Sequence, residues 1–259
     1  MNLSDVSRTA ILTLLGHVNA SENENIAFND PMAVFCLERL ISIASAEEKK
    51  WILRQKRMIN VHDARAMARR VETFDSSANL FISNHPQCTV INLGCGFDTR
   101  FWRIENKDCR YVEIDLPEVV ALKREILKDQ LGYELIGCSV LDASWIDEVT
   151  TNGNSNFLLL AEGLFMFLPK QDVKVLLQLF ARKFMHSQLV VEMAHEKYTR
   201  GFWKMAFGLQ ARVWGLDVSF AFGIKDPHEI ESYGNGLQVL GTLQGSSVGP
   251  IIIVAINAA

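Results

Sequence analysis

The stretch LQVLGTLQGSSVGPIIIVAINA, residues 237–258, holds two apolar runs separated only by GSSVG at 245–249. Runs rich in Val and Ile read as strands, and Gly with Ser between them reads as a turn. Five residues cannot carry a crossover helix, so these two strands must be antiparallel neighbours. Upstream the pattern differs. CTVINL (88–93), RYVEID (110–115), YELIGCSV (133–140), NFLLLAE (156–162) and SQLVVEMA (187–194) read as further strands. Helical segments alternate with them. PEVVALKREILKDQL (117–131) sets Val119, Leu122 and Ile126 on one face, and PKQDVKVLLQLFARKF (169–184) does so with Val173, Leu176, Leu177 and Phe180. This alternation predicts a parallel sheet covered on both faces. A parallel sheet closed by an antiparallel hairpin differs from the all-parallel dinucleotide-binding sheet.

The first 85 residues read as helices. Ile11, Leu14, Leu15 and Val18 follow helical spacing. Asp30-Pro31 is a helix start, with Asp as N-cap and Pro at the first helical position. Residues 47–83 contain neither Gly nor Pro and extend the helical region. The expected organisation is a helical extension over 1–85 and an α/β unit over 86–259, folded together. A second helical stretch, rich in aromatic residues, is expected at 196–214.

A net charge of −4 argues against a dedicated nucleic-acid binder, which carries a basic surplus. Cys36, Cys88, Cys95, Cys109 and Cys138 are odd in number and form no C-x-x-C pair. They suit a reducing compartment, as small apolar residues. The start, MNLSDVSRTA, lacks the pattern of a secretory signal. The apolar run FLLLAEGLFMFL (157–168) is too short to span a bilayer and contains Glu162. A cytoplasmic protein without membrane segments is expected. His17, His62, His85, His186 and His228 show no ligand spacing, and no metal site is expected.

VINLGCGFDTRFW (90–102) carries the first strand into Gly94 and Gly96 and then into a helix-like start. Glycine here permits a tight turn and close approach of a ligand. Thr99 stands where a third dinucleotide-binding glycine would be. Asp98 is expected to cap the following helix, occupying N–H donors that a pyrophosphate would need. The loop therefore suits a nucleoside without phosphates. Asp115 ends the second strand 19 residues beyond Gly96, the offset of an acid that accepts hydrogen bonds from ribose hydroxyls. Glu113 shares its strand face and is the alternative.

VINLGCGFDTRFWRI, YVEIDLPEVVALKREIL and LLLAEGLFMFLPKQDVKVLL together resemble the leucine carboxyl methyltransferase family. ENENIAFNDPMAVFCLERL and ARRVETFD extend the likeness towards the start of the chain. The similarity is greater to the family's short branch, which includes tetracenomycin-type polyketide carboxyl methyltransferases. Phe167 departs from the family's usual Tyr. The resemblance implies a class I methyltransferase fold, a mostly parallel seven-stranded sheet with a C-terminal antiparallel hairpin. It implies S-adenosyl-L-methionine as cofactor, S-adenosyl-L-homocysteine as product, and transfer to oxygen of a small-molecule carboxylate or phenol. It further implies that Arg70 grips the cofactor carboxylate, with Arg69 as the alternative, and that Ser139 and Val140 contact adenine. Glu162 would face the sulfonium or amino group; the competing reading pairs it with Arg70 or Arg100. Arg100 itself either reaches the site or pairs with an acid such as Glu113.

A carboxylate acceptor is ionised at neutral pH and needs no general base, whereas a phenol would. His195, after the fifth strand, is the one candidate base or substrate contact. The aromatic stretch YTRGFWKMAFGLQARVW (198–214) reads first as core; placed after the fifth strand, its alternative is to wall a substrate site and, with the N-terminal helices, to cover the cofactor. A protein-directed carboxyl methyltransferase, a cofactor-binding relative without activity and a nicotinamide-dependent oxidoreductase are the competing functions.

Overall fold

The computed structural model describes residues 4–105, 108–151, 156–246 and 248–257. Ser247 and Ala258, assigned above to the closing turn and strand, lie outside the described residues. Seven strands form one sheet: β1 (Thr89–Leu93), β2 (Arg110–Asp115), β3 (Glu134–Gly137), β4 (Phe157–Ala161), β5 (Ser187–Glu192), β6 (Leu237–Leu243) and β7 (Ile251–Ile256). Their order is β3-β2-β1-β4-β5-β7-β6. The first five are parallel neighbours, whereas β7 runs antiparallel to both β5 and β6. The hairpin thus closes the sheet as its short turn requires. Every residue of β1 and β4 is buried, as expected of central parallel strands covered on both faces.

Helices α1 (Asp5–Ser21), α2 (Pro31–Ile43), α3 (Ala46–Met58) and α4 (Val61–Asn84) precede β1. Asp30 caps α2 by accepting the Ala33 N–H at 2.9 Å, with Pro31 in the first turn. The helical region expected over 47–83 is divided in two at Ile59–Asn60. Asn60 accepts the Asp63 N–H at 3.0 Å and starts α4, so a side-chain cap divides a segment that has no Gly or Pro. Leucines and isoleucines of α1 and α2 share one core with Val119, Leu122 and Ile126 of α5 (Pro117–Leu127). The extension therefore packs on the sheet's own helical layer.

Three further features differ from expectation. The third strand is shorter than 133–140, because Ser139 turns the chain: its carbonyl accepts the Asp142 N–H at 3.0 Å. Between β3 and β4 lies α6 (Ser144–Thr150), too short to show a period, which buries Trp145, Ile146 and Val149. Among the described residues between the glycine loop and β2 there is no α-helix; Arg100–Trp102 makes one 3-10 turn. Helix α7 (Lys170–Lys183) links β4 to β5, and α8 (Gly201–Val213) follows β5.

Candidate ligand site at the carboxyl edge of the sheet

Parallel strands bring their carboxyl ends to one edge, where the connections leave a crevice. Here β1 ends beside Gly94, β2 at Asp115, β4 beside Glu162 and β5 at Glu192. A cavity of about 860 Å³ opens there, within the range of small-molecule sites. Arg70, Gly94, Gly96, Asp115, Ser139, Val140 and Glu162 all line it. Residues from α1, including Ala10 and His17, and from α8, including Trp203 and Phe207, complete the wall.

Gly94 and Gly96 have φ of +62° and +51°, a region that side chains resist. The crowding around them comes from the protein itself. A Cβ on Gly94 would lie 2.9 Å from Leu164 Cδ1, and one on Gly96 would lie 2.8 Å from Ala10 Cβ. The Asp115 carboxylate is fixed beside the loop. Oδ2 accepts the Gly96 N–H at 2.6 Å and Oδ1 the Leu116 N–H at 2.7 Å. Burial pushes its carboxyl above the ordinary aspartate value, against the pull of these two amides. Each oxygen keeps acceptor capacity, because an ionised carboxylate has about four lone-pair sites.

Glu113 does not share this position. It is fully buried and accepts from Lys123 Nζ at 2.6 Å. Lys123 also donates to the Asp98 carbonyl at 2.7 Å. Glu113 and Asp115 share a strand face, and what separates them is Lys123, ten residues from Glu113, which claims that acid.

Arg70, on α4, donates from Nε to Glu162 Oε1 at 2.7 Å. Arg100 Nη2 donates to Glu162 Oε2 at 2.6 Å. The arginine-paired alternative for Glu162 is therefore the arrangement present. Burial alone would raise the Glu162 pKa, but Arg70 and Arg100 outweigh it and hold the carboxyl below the usual range. Arg100 also meets Asp98 at 2.7 Å and Asp75 at 2.8 Å. Arg103 joins Asp75, Asp98 and Asp30 at 2.7, 3.0 and 2.7 Å. Asp98 accepts the Arg100 N–H at 3.1 Å as a cap would, but its negative charge is countered by both arginines. That charge therefore does not set the loop's preference against phosphate. Arg69, the neighbour of Arg70, is exposed.

His195 is exposed and is not among the lining residues. Its backbone N–H donates to the Val248 carbonyl at 2.8 Å, and its Nδ1 accepts from the Lys197 N–H at 3.1 Å. The chain is drawn into a short bridge with Ile224, and the ring caps the next 3-10 turn. Sequence reasoning passed over Glu192, although it carries the same signal as Glu162: an acid at the end of a very apolar strand. It also treated Asp30 only as a cap, and found no signal for Asp75. Among the described residues no group of three or more His, Cys, Asp or Glu is placed to hold a metal ion. No described helix is long and apolar enough to cross a membrane.

The strand order, the inverted β7 and the glycine loop at the carboxyl edge define a class I methyltransferase fold. A solved magnesium protoporphyrin IX methyltransferase from Synechocystis PCC 6803, with bound S-adenosylhomocysteine, shares it. The TM-score is 0.52 at 13% identity, over 76% of this chain and 87% of that one. The chain belongs to the leucine carboxyl methyltransferase family, which its residues 10–181 match. It is 30% identical over 177 residues to the tetracenomycin polyketide synthesis O-methyltransferase TcmP of Streptomyces glaucescens, over 68% of this chain and 63% of that protein. The match thus spans less than two thirds of that relative's length. An S-adenosyl-L-methionine-dependent methyltransferase of Gibberella zeae, dpfgK, is 21% identical over 92% of this chain and 82% of its own.

Proposed function

We propose that the protein is an S-adenosylmethionine-dependent O-methyltransferase acting on a carboxylate of an apolar small molecule. One observation carries the reading: seven residues chosen along the chain for cofactor contact line a single cavity at the carboxyl edge of a methyltransferase sheet. The residues fit the cofactor. Asp115, held by two amides, offers its remaining lone pairs to ribose hydroxyls. Leu116 and Val140 offer apolar flanks to a base beside Ser139. Arg70 spends Nε on Glu162, and a guanidinium has five N–H donors, so others remain for a carboxylate. Glu162, accepting from both Arg70 and Arg100, holds the Arg70 guanidinium in place at the edge of the cavity.

S-adenosylmethionine supplies a methyl group already made electrophilic by its sulfonium. The chain's own task is to align acceptor and methyl and to exclude water. An acceptor carboxylate, with a pKa of about 4, arrives ionised and asks for no general base. This agrees with the exposed position of His195, which is given no role. Phe167, Trp203, Phe207, Trp214 and Phe220 among the lining favour an apolar, aromatic-sized acceptor. The part of the Streptomyces relative in tetracenomycin polyketide synthesis supports the same acceptor class.

The test has two stages. Thermal shift with S-adenosylhomocysteine, NAD and NADP comes first; stabilisation by a nicotinamide cofactor alone rejects the reading. Methyl transfer is then assayed against aromatic carboxylic acids, phenols and a peptide ending in leucine. Transfer to the acids is expected. Transfer confined to the peptide would make the enzyme protein-directed, and no transfer to any acceptor would make it a binding relative without activity.

A further inference from the structure

Glu192, at the carboxyl end of β5, lines the cavity with its side chain 0% exposed. Among the described residues neither carboxylate oxygen receives a hydrogen bond. Arg70 Nη1 stands 3.5 Å from Oε2, beyond the usual range for such a bond. The neighbouring acid is in the opposite condition. Glu162 accepts at 2.7 Å on Oε1 and at 2.6 Å on Oε2, from two different arginines. A buried carboxylate without donors is costly, and the cost is relieved by a charged donor that enters the cavity.

The surroundings point to a cation. Arg70, Arg100 and Arg103 form one connected cluster with Asp30, Asp75, Asp98, Glu162 and Glu192. Its acids outnumber its arginines, with His17 Nδ1 3.4 Å from Asp30 Oδ2. Gly163 puts no side chain between the end of β4 and Glu192; a Cβ there would lie 3.9 Å from Oε2. A primary ammonium has three N–H donors and a compact charge, which suits a pair of open carboxylate oxygens.

We infer that Glu192 is the residue that receives the α-ammonium group of the cofactor's amino-acid tail. The inference rests on the cofactor reading above. It divides the work of the two acids: Glu162 stays with Arg70 and Arg100 and fixes both, while Glu192 meets the ligand.

Isothermal titration of the full chain tests this with two ligands, S-adenosylhomocysteine and its analogue in which hydrogen replaces the α-amino group. Glu192→Gln is expected to weaken S-adenosylhomocysteine at least about tenfold, and to change the analogue by less than about twofold. Equal losses for both ligands would place the effect on Arg70 or on the fold and overturn the proposal. Unchanged binding of S-adenosylhomocysteine by Glu192→Gln, with the unmutated chain binding it, overturns the Glu192 assignment alone. An unmutated chain that binds neither ligand overturns the cofactor reading with it. If circular dichroism shows Glu192→Gln unfolded, Glu192→Asp, with its charge one methylene further back, is held to the same comparison.

Discussion

Arg100 Nη2 lies 2.6 Å from Glu162 Oε2, tying the turn after β1 to the residue after β4. The same guanidinium reaches Asp75 on α4, and Arg103 reaches Asp30 at the start of α2. The helical extension is thus held to the ligand edge by buried charge as well as by apolar packing. Desolvating such groups is expensive and their mutual attraction roughly offsets it. The network therefore contributes little net stability while every member is present. It fixes where α2 and α4 stand relative to the glycine loop.

Removing one member is another matter. Arg100→Met would leave Asp75, Asp98 and Glu162, all largely shielded from solvent, with fewer cations, and should destabilise by about 3–5 kcal/mol. Urea denaturation followed by circular dichroism measures this. A loss below about 1 kcal/mol would mean the pair behaves like a solvated surface bridge.

Acid should weaken the same network. Glu162, Asp98 and Asp30 all have folded pKa values below their ordinary ones: burial opposes their charge, but arginines, and His17 at Asp30, outweigh it. A depressed carboxyl contributes stability that is present above its unfolded pKa and is lost as pH falls through the folded value. The ordinary values are 4.5 for glutamate and 3.8 for aspartate, so the decline begins near there and continues downward. Glu113 and Asp115, raised chiefly by burial, work in the opposite direction and soften the slope. Urea midpoints between neutral pH and pH of about 3 should fall, and should fall less steeply in Arg100→Met. A flat profile in the unmutated chain would contradict the network's ionisation.

Asp115→Ala and Arg70→Ala are each expected to weaken S-adenosylhomocysteine at least about tenfold, or about 1.4 kcal/mol. The two should part in stability. Arg70→Ala takes the nearby cation from buried Glu192 and should lower the melting temperature, whereas Asp115→Ala frees only two amides at a partly exposed rim. Titration calorimetry and thermal melting report the two effects separately. Unchanged binding in both variants would remove the site map and leave the fold.

Helices α1 and α8 both line the cavity, which gives the expected lid a physical basis. Hydrogen exchange with and without S-adenosylhomocysteine should show new protection in Asp5–Ser21 and Gly201–Val213. Absence of protection in both segments would make them static walls.

The sheet, its closing hairpin and the glycine loop were legible because they rest on local patterns. Apolar runs, helical spacing and turn residues act within a few positions of one another. Gly94, Gly96 and Asp115 were legible for a related reason: parallel strands bring their carboxyl ends together whatever the side chains; Arg70, Ser139, Val140 and Glu162 were named only through the family resemblance. Shorter features were lost. Asn60 divided a helix with no Gly or Pro, and α6 was too brief to display a period.

The ion pairs were decided by tertiary structure. Arg70 meets Glu162 across 92 positions of sequence, Arg103 meets Asp30 across 73, and Arg100 meets Asp75 across 25. A charge carries no periodicity that names its partner. Its partner is whichever opposite charge the packing of α2, α4 and the strand ends brings within about 4 Å, where the Coulomb term is large enough to matter. The sequence by itself therefore determined the architecture and the edge at which the cavity opens. Only the fold decided that Lys123 takes Glu113, that Glu162 is occupied by two arginines, and that Glu192 is left open towards the cavity.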